Sequence, residues 1–201
     1  DVITAVEYFD VNKLQVVRLA CDECGFGYRE SVFKHELRGI AIILAVEFRL
    51  HRSPSPNLGY GDVIKEVEAR GGATLKNIRE SICAIRASKL PDPKVLGNAG
   101  SFFTNPVIPH TQYETLKAEY PNIPSYPIDD KHVKVPAGWL IDHAGWKGKA
   151  LGRAAVHDRQ ALVLVNLGGA TGLEVMTLAG RICEEVYNKY GIHITPEVNY
   201  I

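Results

Sequence analysis

The stretch Gly97–Pro106, GNAGSFFTNP, holds the residues best suited to chemistry. Gly97, Asn98 and Gly100 permit unusual backbone angles and the close approach of a ligand. Ser101 follows Gly100 and precedes Phe102 and Phe103. A hydroxyl on tight backbone beside aromatic bulk sits in a partly dry, defined place. The simpler alternative is a turn whose serine hydrogen-bonds its own backbone, and the spacing alone favours it. In the run FGYRES, Arg29 carries a planar fork suited to a carboxylate or phosphate. Its plain alternative is a surface pairing with Glu30 or Glu36.

Further candidates are weaker. Lys89 precedes a proline-rich turn and is a usable point charge for phosphate. Tyr60 lies between Gly59 and Gly61, in a loop that can close over a ligand. Glu197, after Pro196, reads equally well as an outward-facing charge, and His157 as a structural histidine. Cys21 and Cys24 form a C-x-x-C pair, but no second ligand pair at zinc spacing exists. No metal site is expected, and the four cysteines read as free structural thiols. No Ser-His-Asp order, phosphate loop or dinucleotide fingerprint can be assembled.

These residues need elements to position them. Val2–Tyr8 and Leu14–Val17 read as strands, and Gly39–His51 as the strongest strand, rich in Ile, Val and Leu. SPSPNLGYGD breaks regular structure. Thr74–Ser88 has helical spacing in Leu75, Ile78, Ile82 and Ile85, and Lys89-Leu90-Pro91 ends it. His110–Tyr120 and Ala137–Ala144 read as further helices, and Ala161–Asn166 as a buried strand. Thr171 can cap a helix running to Tyr190, with Glu174 completing a capping box and Gly191 ending it. Its apolar stripe is Val175, Ala179, Ile182, Val186 and Tyr190. Ile192–Ile201 reads as a closing strand. Helices and strands mix without strict βαβ alternation, which predicts an α+β fold.

Lysine plus arginine balances aspartate plus glutamate at 23 each, so no whole-molecule field favours nucleic acid or a membrane surface. An anionic ligand would have to be met by local cations. The longest apolar run, Ile40–Val46, is strand-sized, far short of the roughly 20 residues that span a bilayer. No signal peptide is visible. The chain starts at Asp1, so the natural N-terminus is expected upstream.

Taken in order, GYRESVFKHE, YGD, KLPDPKVLGNAGSFFTNP, PAGWLID, KGKALGRAAVH, RQALVLVN and TPEVNYI resemble the UDP-N-acetylenolpyruvoylglucosamine reductase (MurB) family. The resemblance runs over nearly the whole chain, and the tyrosine loop is similar to the family's type I branch. It implies an NADPH-dependent, FAD-mediated reduction of UDP-N-acetylglucosamine enolpyruvate to UDP-N-acetylmuramate, in peptidoglycan precursor synthesis. By resemblance, Ser101 is the proton donor, and Arg29 and Glu197 hold the enolpyruvyl carboxylate and stabilise the intermediate. Tyr60, Lys89 and Asn105 match positions that grip the UDP diphosphate, with Gln160 a further ligand contact. The enzyme would be cytoplasmic and monomeric at full length.

The sequence also departs from the family pattern. Thr104 stands where lysine is frequent. Asp158-Arg159 follows His157 in place of a basic-polar run, and Gly152-Arg153 replaces a small-residue pair. The family's flavin-binding elements lie mainly upstream of anything here. The resemblance therefore assigns 1–90 to the remainder of the FAD-binding domain and 91–191 to the substrate-binding domain. Residues 192–201 form a terminal strand returning to the flavin part. This chain alone would expose apolar surface, lack activity and need the missing flavin part as partner. The alternative is a non-catalytic fragment that binds the UDP-sugar.

Overall fold

Alternating apolar positions make Ile3–Asp10 (β1) a central strand, with Ala5, Val6, Tyr8 and Asp10 buried. In the computed structural model, which describes residues 2–52, 55–59 and 62–200, it pairs antiparallel with Gln15–Ala20 (β2) and Ala41–Phe48 (β3). The turn from β1 to β2 is held by the Asp10 carboxylate, which accepts from the backbone N–H groups of Asn12 and Lys13. This sheet belongs to the first of two compact units, Asp1–Asn57; the second is Leu58–Ile201. Between β2 and β3, Cys21–Cys24 forms a 3-10 turn. The Cys24 thiol is fully buried and donates to the Ala20 carbonyl, and burial pushes its pKa up. A buried, protonated thiol is a poor redox or metal group.

The second unit opens with two helices, Val63–Ala69 (α1) and Leu75–Lys89 (α2). Thr74 caps α2 by accepting from the Asn77 N–H, and Asn77 Nδ2 donates to the carbonyls of Arg70 and Gly72. The expected apolar stripe of α2 is displaced. Leu75 and Ile82 are exposed, and the buried position is Ser81. Ile78 and Ile85, on either side of Ser81 along the same face, are half-buried.

After α2 come Asn98–Ser101 (β4), Val107–Pro109 (β5), the helix His110–Glu119 (α3), Tyr126–Pro127 (β6) and His132–Lys134 (β7). The helix Ala137–His143 (α4) follows, then Ala150–Leu151 (β8), Ala154–Val156 (β9), Val163–Asn166 (β10) and the long helix Gly172–Tyr190 (α5). The strands form two antiparallel sheets, in the orders β4-β10-β9-β8 and β5-β7-β6. The α+β class read from the sequence is thus observed.

The core lies between these sheets and α4 and α5. It holds Phe103, Leu140, Ile141, Val156, Leu178, Ile182 and Val186, all nearly inaccessible to solvent. Thr171 and Glu174 make the capping box that the sequence implies, and Gly191 closes α5 at φ 63°. The predicted closing strand is less regular. Among the described residues, those after Tyr190 make one isolated bridge, Phe103 to Pro196, and no regular strand. Among the described residues, no helix is long and apolar enough to cross a membrane.

Candidate functional site

The loop carrying Ser101 is organised by Asn98. Its Oδ1 accepts from the Gly100 N–H at 3.0 Å, and its Nδ2 donates to the carbonyls of Leu96 and Pro91. Gly100 takes φ 71°, a conformation that disfavours side chains, although a Cβ there would meet nothing. These residues belong to β4, which pairs Asn98 with Val165 and Ser101 with Val163 across a register shift. Phe102 and Phe103 are buried beyond it, whereas Ser101 stays exposed. Asn98 makes the local turn bonds. The Ser101 hydroxyl makes no hydrogen bond among the described residues.

Glu197 arrives at the same edge from the far end of the unit. Its N–H donates to the Phe102 carbonyl at 2.8 Å, and the Thr104 N–H donates to the Thr195 carbonyl at 3.0 Å. Phe102 in turn donates to the Leu162 carbonyl at 2.7 Å. The Ser101 segment is therefore bonded on one side to β10 and on the other to the tail that bears Glu197. Glu197 is half-buried.

A cleft of about 810 Å³ lies in the same unit, and Lys89, Asn105 and Gln160 all line it. Lys89 is the last residue of α2. Asn105 Oδ1 accepts from the Ala137 N–H at 2.9 Å, so its amide is fixed at the start of α4. Gln160 Oε1 accepts from the Leu162 N–H at 3.4 Å. Gly138 is needed here for space, because a Cβ would come within 3.3 Å of the Leu162 side chain and 3.5 Å of Gln160 Oε1.

The cleft also holds residues that the sequence did not single out. Lys134, Lys147 and Arg159 add cations, and Tyr126 and Trp139 add aromatic walls. Lys134 Nζ lies 5.4 Å from the Tyr126 ring centre. The one acid in the lining, Asp142, is already paired with Lys147 at 2.9 Å. Positive charge dominates, which suits a phosphorylated ligand. Lone lysines give little signal in a sequence. Only the fold brings these together.

Arg29 lies in the first unit. Gly27 and Glu30 exchange backbone hydrogen bonds, which places Tyr28 and Arg29 at the tip of a tight turn. Arg29 has φ 60°, rare for a residue with a side chain. Lys34 Nζ donates to its carbonyl at 2.7 Å, and Glu30 pairs with His35. Tyr60 lies outside the described residues; Gly59 before it lines the cleft.

The first unit has a second concavity, of about 700 Å³, lined by Val2, Ile3, Cys21, Phe26, Gly27 and Phe48. Its described lining residues include no cation.

Residues 92–201 match the family model described as the C-terminal domain of UDP-N-acetylenolpyruvoylglucosamine reductase (MurB_C). The chain belongs to that family. A Bacteroides fragilis protein named UDP-N-acetylenolpyruvoylglucosamine reductase is 50% identical over 201 residues, covering 100% of this chain and 60% of the relative. One of the same name from Burkholderia vietnamiensis is 53% identical over 184 residues, covering 90% of this chain and 53% of the relative. The crystal structure of the MurB reductase from Thermus caldophilus superposes with a TM-score of 0.58 at 26% identity, over 99% of this chain and 53% of that one. The chain spans little more than half the length of these MurB relatives.

Proposed function

We propose that this chain provides the substrate site and proton donor of a flavin-dependent reductase. The reaction converts UDP-N-acetylglucosamine enolpyruvate to UDP-N-acetylmuramate, a step of peptidoglycan precursor synthesis in the cytoplasm, with NADPH and FAD as cofactors. The observation that carries this reading is the clamping of the Ser101 loop to the tail that bears Glu197, beside a cationic cleft lined by three of the expected substrate contacts. The names of the relatives supply the reaction.

The apolar concavity of the first unit does not fit the FAD diphosphate, since none of its described lining residues is a cation. No step is therefore routed through the flavin, which we assign to a part of the full-length protein beyond this chain. We accordingly retain a division into a flavin-domain remainder at 1–90, a substrate domain at 91–191 and a returning segment at 192–201. The family match starting at residue 92 supports the boundary between the first two of these parts.

The roles of the side chains follow from the charge in the reaction. Addition of hydride to the outer carbon of the enol ether leaves negative charge beside the substrate carboxylate. The Ser101 hydroxyl donates its proton to the carbon that bears the carboxylate, where that charge develops; a strong carbon base can take a proton from an alcohol placed in line. Arg29 stabilises the charge on the carboxylate oxygens. Glu197 shares a proton with the same group, since two bare carboxylates would repel. Tyr60, Lys89, Asn105 and Gln160 hold the UDP end.

Anaerobic turnover of the full-length protein tests this. Ser101→Ala should lower substrate reduction by roughly 10²–10⁴-fold, with flavin reduction by NADPH unchanged. Unimpaired substrate reduction would remove Ser101 from the mechanism.

A second reading is favoured by the same mismatch with the flavin diphosphate. This chain alone would then be a non-catalytic UDP-sugar binder. Calorimetry should find that it binds UDP but not FAD; tight FAD binding would contradict both the second reading and the assignment of the flavin to other residues.

A further inference from the structure

Arg159 lies at the tip of the hairpin between β9 and β10. The hairpin is tightly closed. The His157 N–H donates to the Val163 carbonyl at 2.9 Å, and the Val163 N–H donates to the Gln160 carbonyl at 3.0 Å. Within it, His157 Nδ1 accepts from the Arg159 N–H at 3.4 Å, and His157 itself is buried. The backbone of Arg159 is thus held, although its side chain is exposed.

The side chain reaches across the cleft. Arg159 Nη1 donates to the Ser88 carbonyl at 3.1 Å, one residue before Lys89. A residue near the C-terminus of a helix leaves its carbonyl unmatched, and a guanidinium is well suited to satisfy it. The bond joins the hairpin wall, which carries Gln160, to the helix end that carries Lys89. No other partner occupies the guanidinium among the described residues. Its remaining N–H groups are available to the cleft that it lines.

We infer that Arg159 is a diphosphate-binding residue that also sets the position of Lys89. One nitrogen ties the two walls together, and the rest of the fork meets the same anionic group as Lys89. An arginine fork suits this double task, because its donors are rigidly spread. The inference rests on the proposed UDP cleft and goes beyond it. It assigns part of the diphosphate affinity to a residue that the motifs of the sequence did not single out.

The test uses the full-length protein with UDP and uridine as probes, by calorimetry for UDP and ligand-observed NMR titration for uridine. Arg159→Gln should weaken UDP about tenfold, as expected for a lost charge-assisted hydrogen bond. Uridine, which has no phosphate, should bind the variant as it binds the unaltered protein. Arg159→Lys should recover part of the UDP affinity, and higher salt should narrow the gap. In a double-variant cycle, Lys89→Met and Arg159→Gln should be non-additive. Unchanged UDP affinity in Arg159→Gln would overturn the inference while leaving the cleft intact. Equal weakening of UDP and uridine would also overturn it, marking Arg159 as structural only. Failure of the unaltered protein to bind UDP would overturn the cleft reading and the inference together.

Discussion

In the second unit, Leu140, Ile141, Leu178 and Ile182 are wholly shielded from water; in β3 of the first unit, Ile42, Leu44 and Phe48 are each 55% exposed. Both sets are large aliphatic or aromatic side chains in regular elements. One set sits between sheets and helices of its own unit. The other lies on an edge strand whose neighbour, β1, is covered by hydrogen bonds on both sides while β3 is paired on one only. A bare apolar strand of this kind is a surface built for contact. The contrast teaches that the second unit encloses an apolar core of its own, whereas β3 of the first leaves its apolar side chains bare.

The largest effect should come from the closed core. Leu140→Ala should cost ~2–5 kcal/mol in denaturant unfolding, from lost burial and a residual cavity. A loss below ~1 kcal/mol would mean that this core is looser than its burial implies. Gly100→Ala comes next, at ~1–2 kcal/mol, because its φ of 71° disfavours a side chain even where space is open. That value, read from the same denaturant curves, would show whether the Ser101 loop shares the rigidity of the core below it.

A pH measurement sharpens the picture of the second unit. Hydrogen bonds from Arg153 and then from Thr171 lower the Glu174 pKa from 4.5 to about 2. The folded value is the lower one, so its contribution is complete above about 4.5 and is lost as pH falls through about 2. Melting temperature should fall over that window, and Glu174→Gln should flatten that part of the profile. An unaltered profile in the variant would remove Glu174 as a source of acid sensitivity. The smallest effect should be in β3. Leu44→Ser in this chain should change stability by no more than ~0.5 kcal/mol, whereas a loss near that of Leu140→Ala would mean that β3 is already covered.

Much of the fold was legible because local rules and burial agree. The α5 cap, its buried stripe and Gly191 all follow from residues that act within one helix. β1, β3 and β10 are strongly apolar and lie where the spacing puts them. α1 was not anticipated, since its seven residues show only Val63 and Val67 as a buried pair. The stripe of α2 was misplaced because a tertiary neighbour selects the Ser81 side, and no local periodicity carries that information. The short strands β5 to β9 were equally invisible, being two or three residues long and defined by partners far away.

The candidate site divides in the same way. Ser101, Lys89, Asn105 and Gln160 stand in motifs that resemble a family, so they could be named from the sequence. Lys134, Lys147, Arg159, Tyr126 and Trp139 line the cleft on separate elements. Taken one at a time they are ordinary lysines, arginines and aromatics.

The bond from Thr104 to Thr195 crosses 91 residues of chain. Contacts of such long sequence separation form late, because the intervening loop must first be closed by other structure. The strand that bears Ser101 therefore gains its second neighbour only after α5 has folded and delivered the tail. During refolding, core fluorescence should recover before ligand binding does. The site would be the last part of the unit to mature.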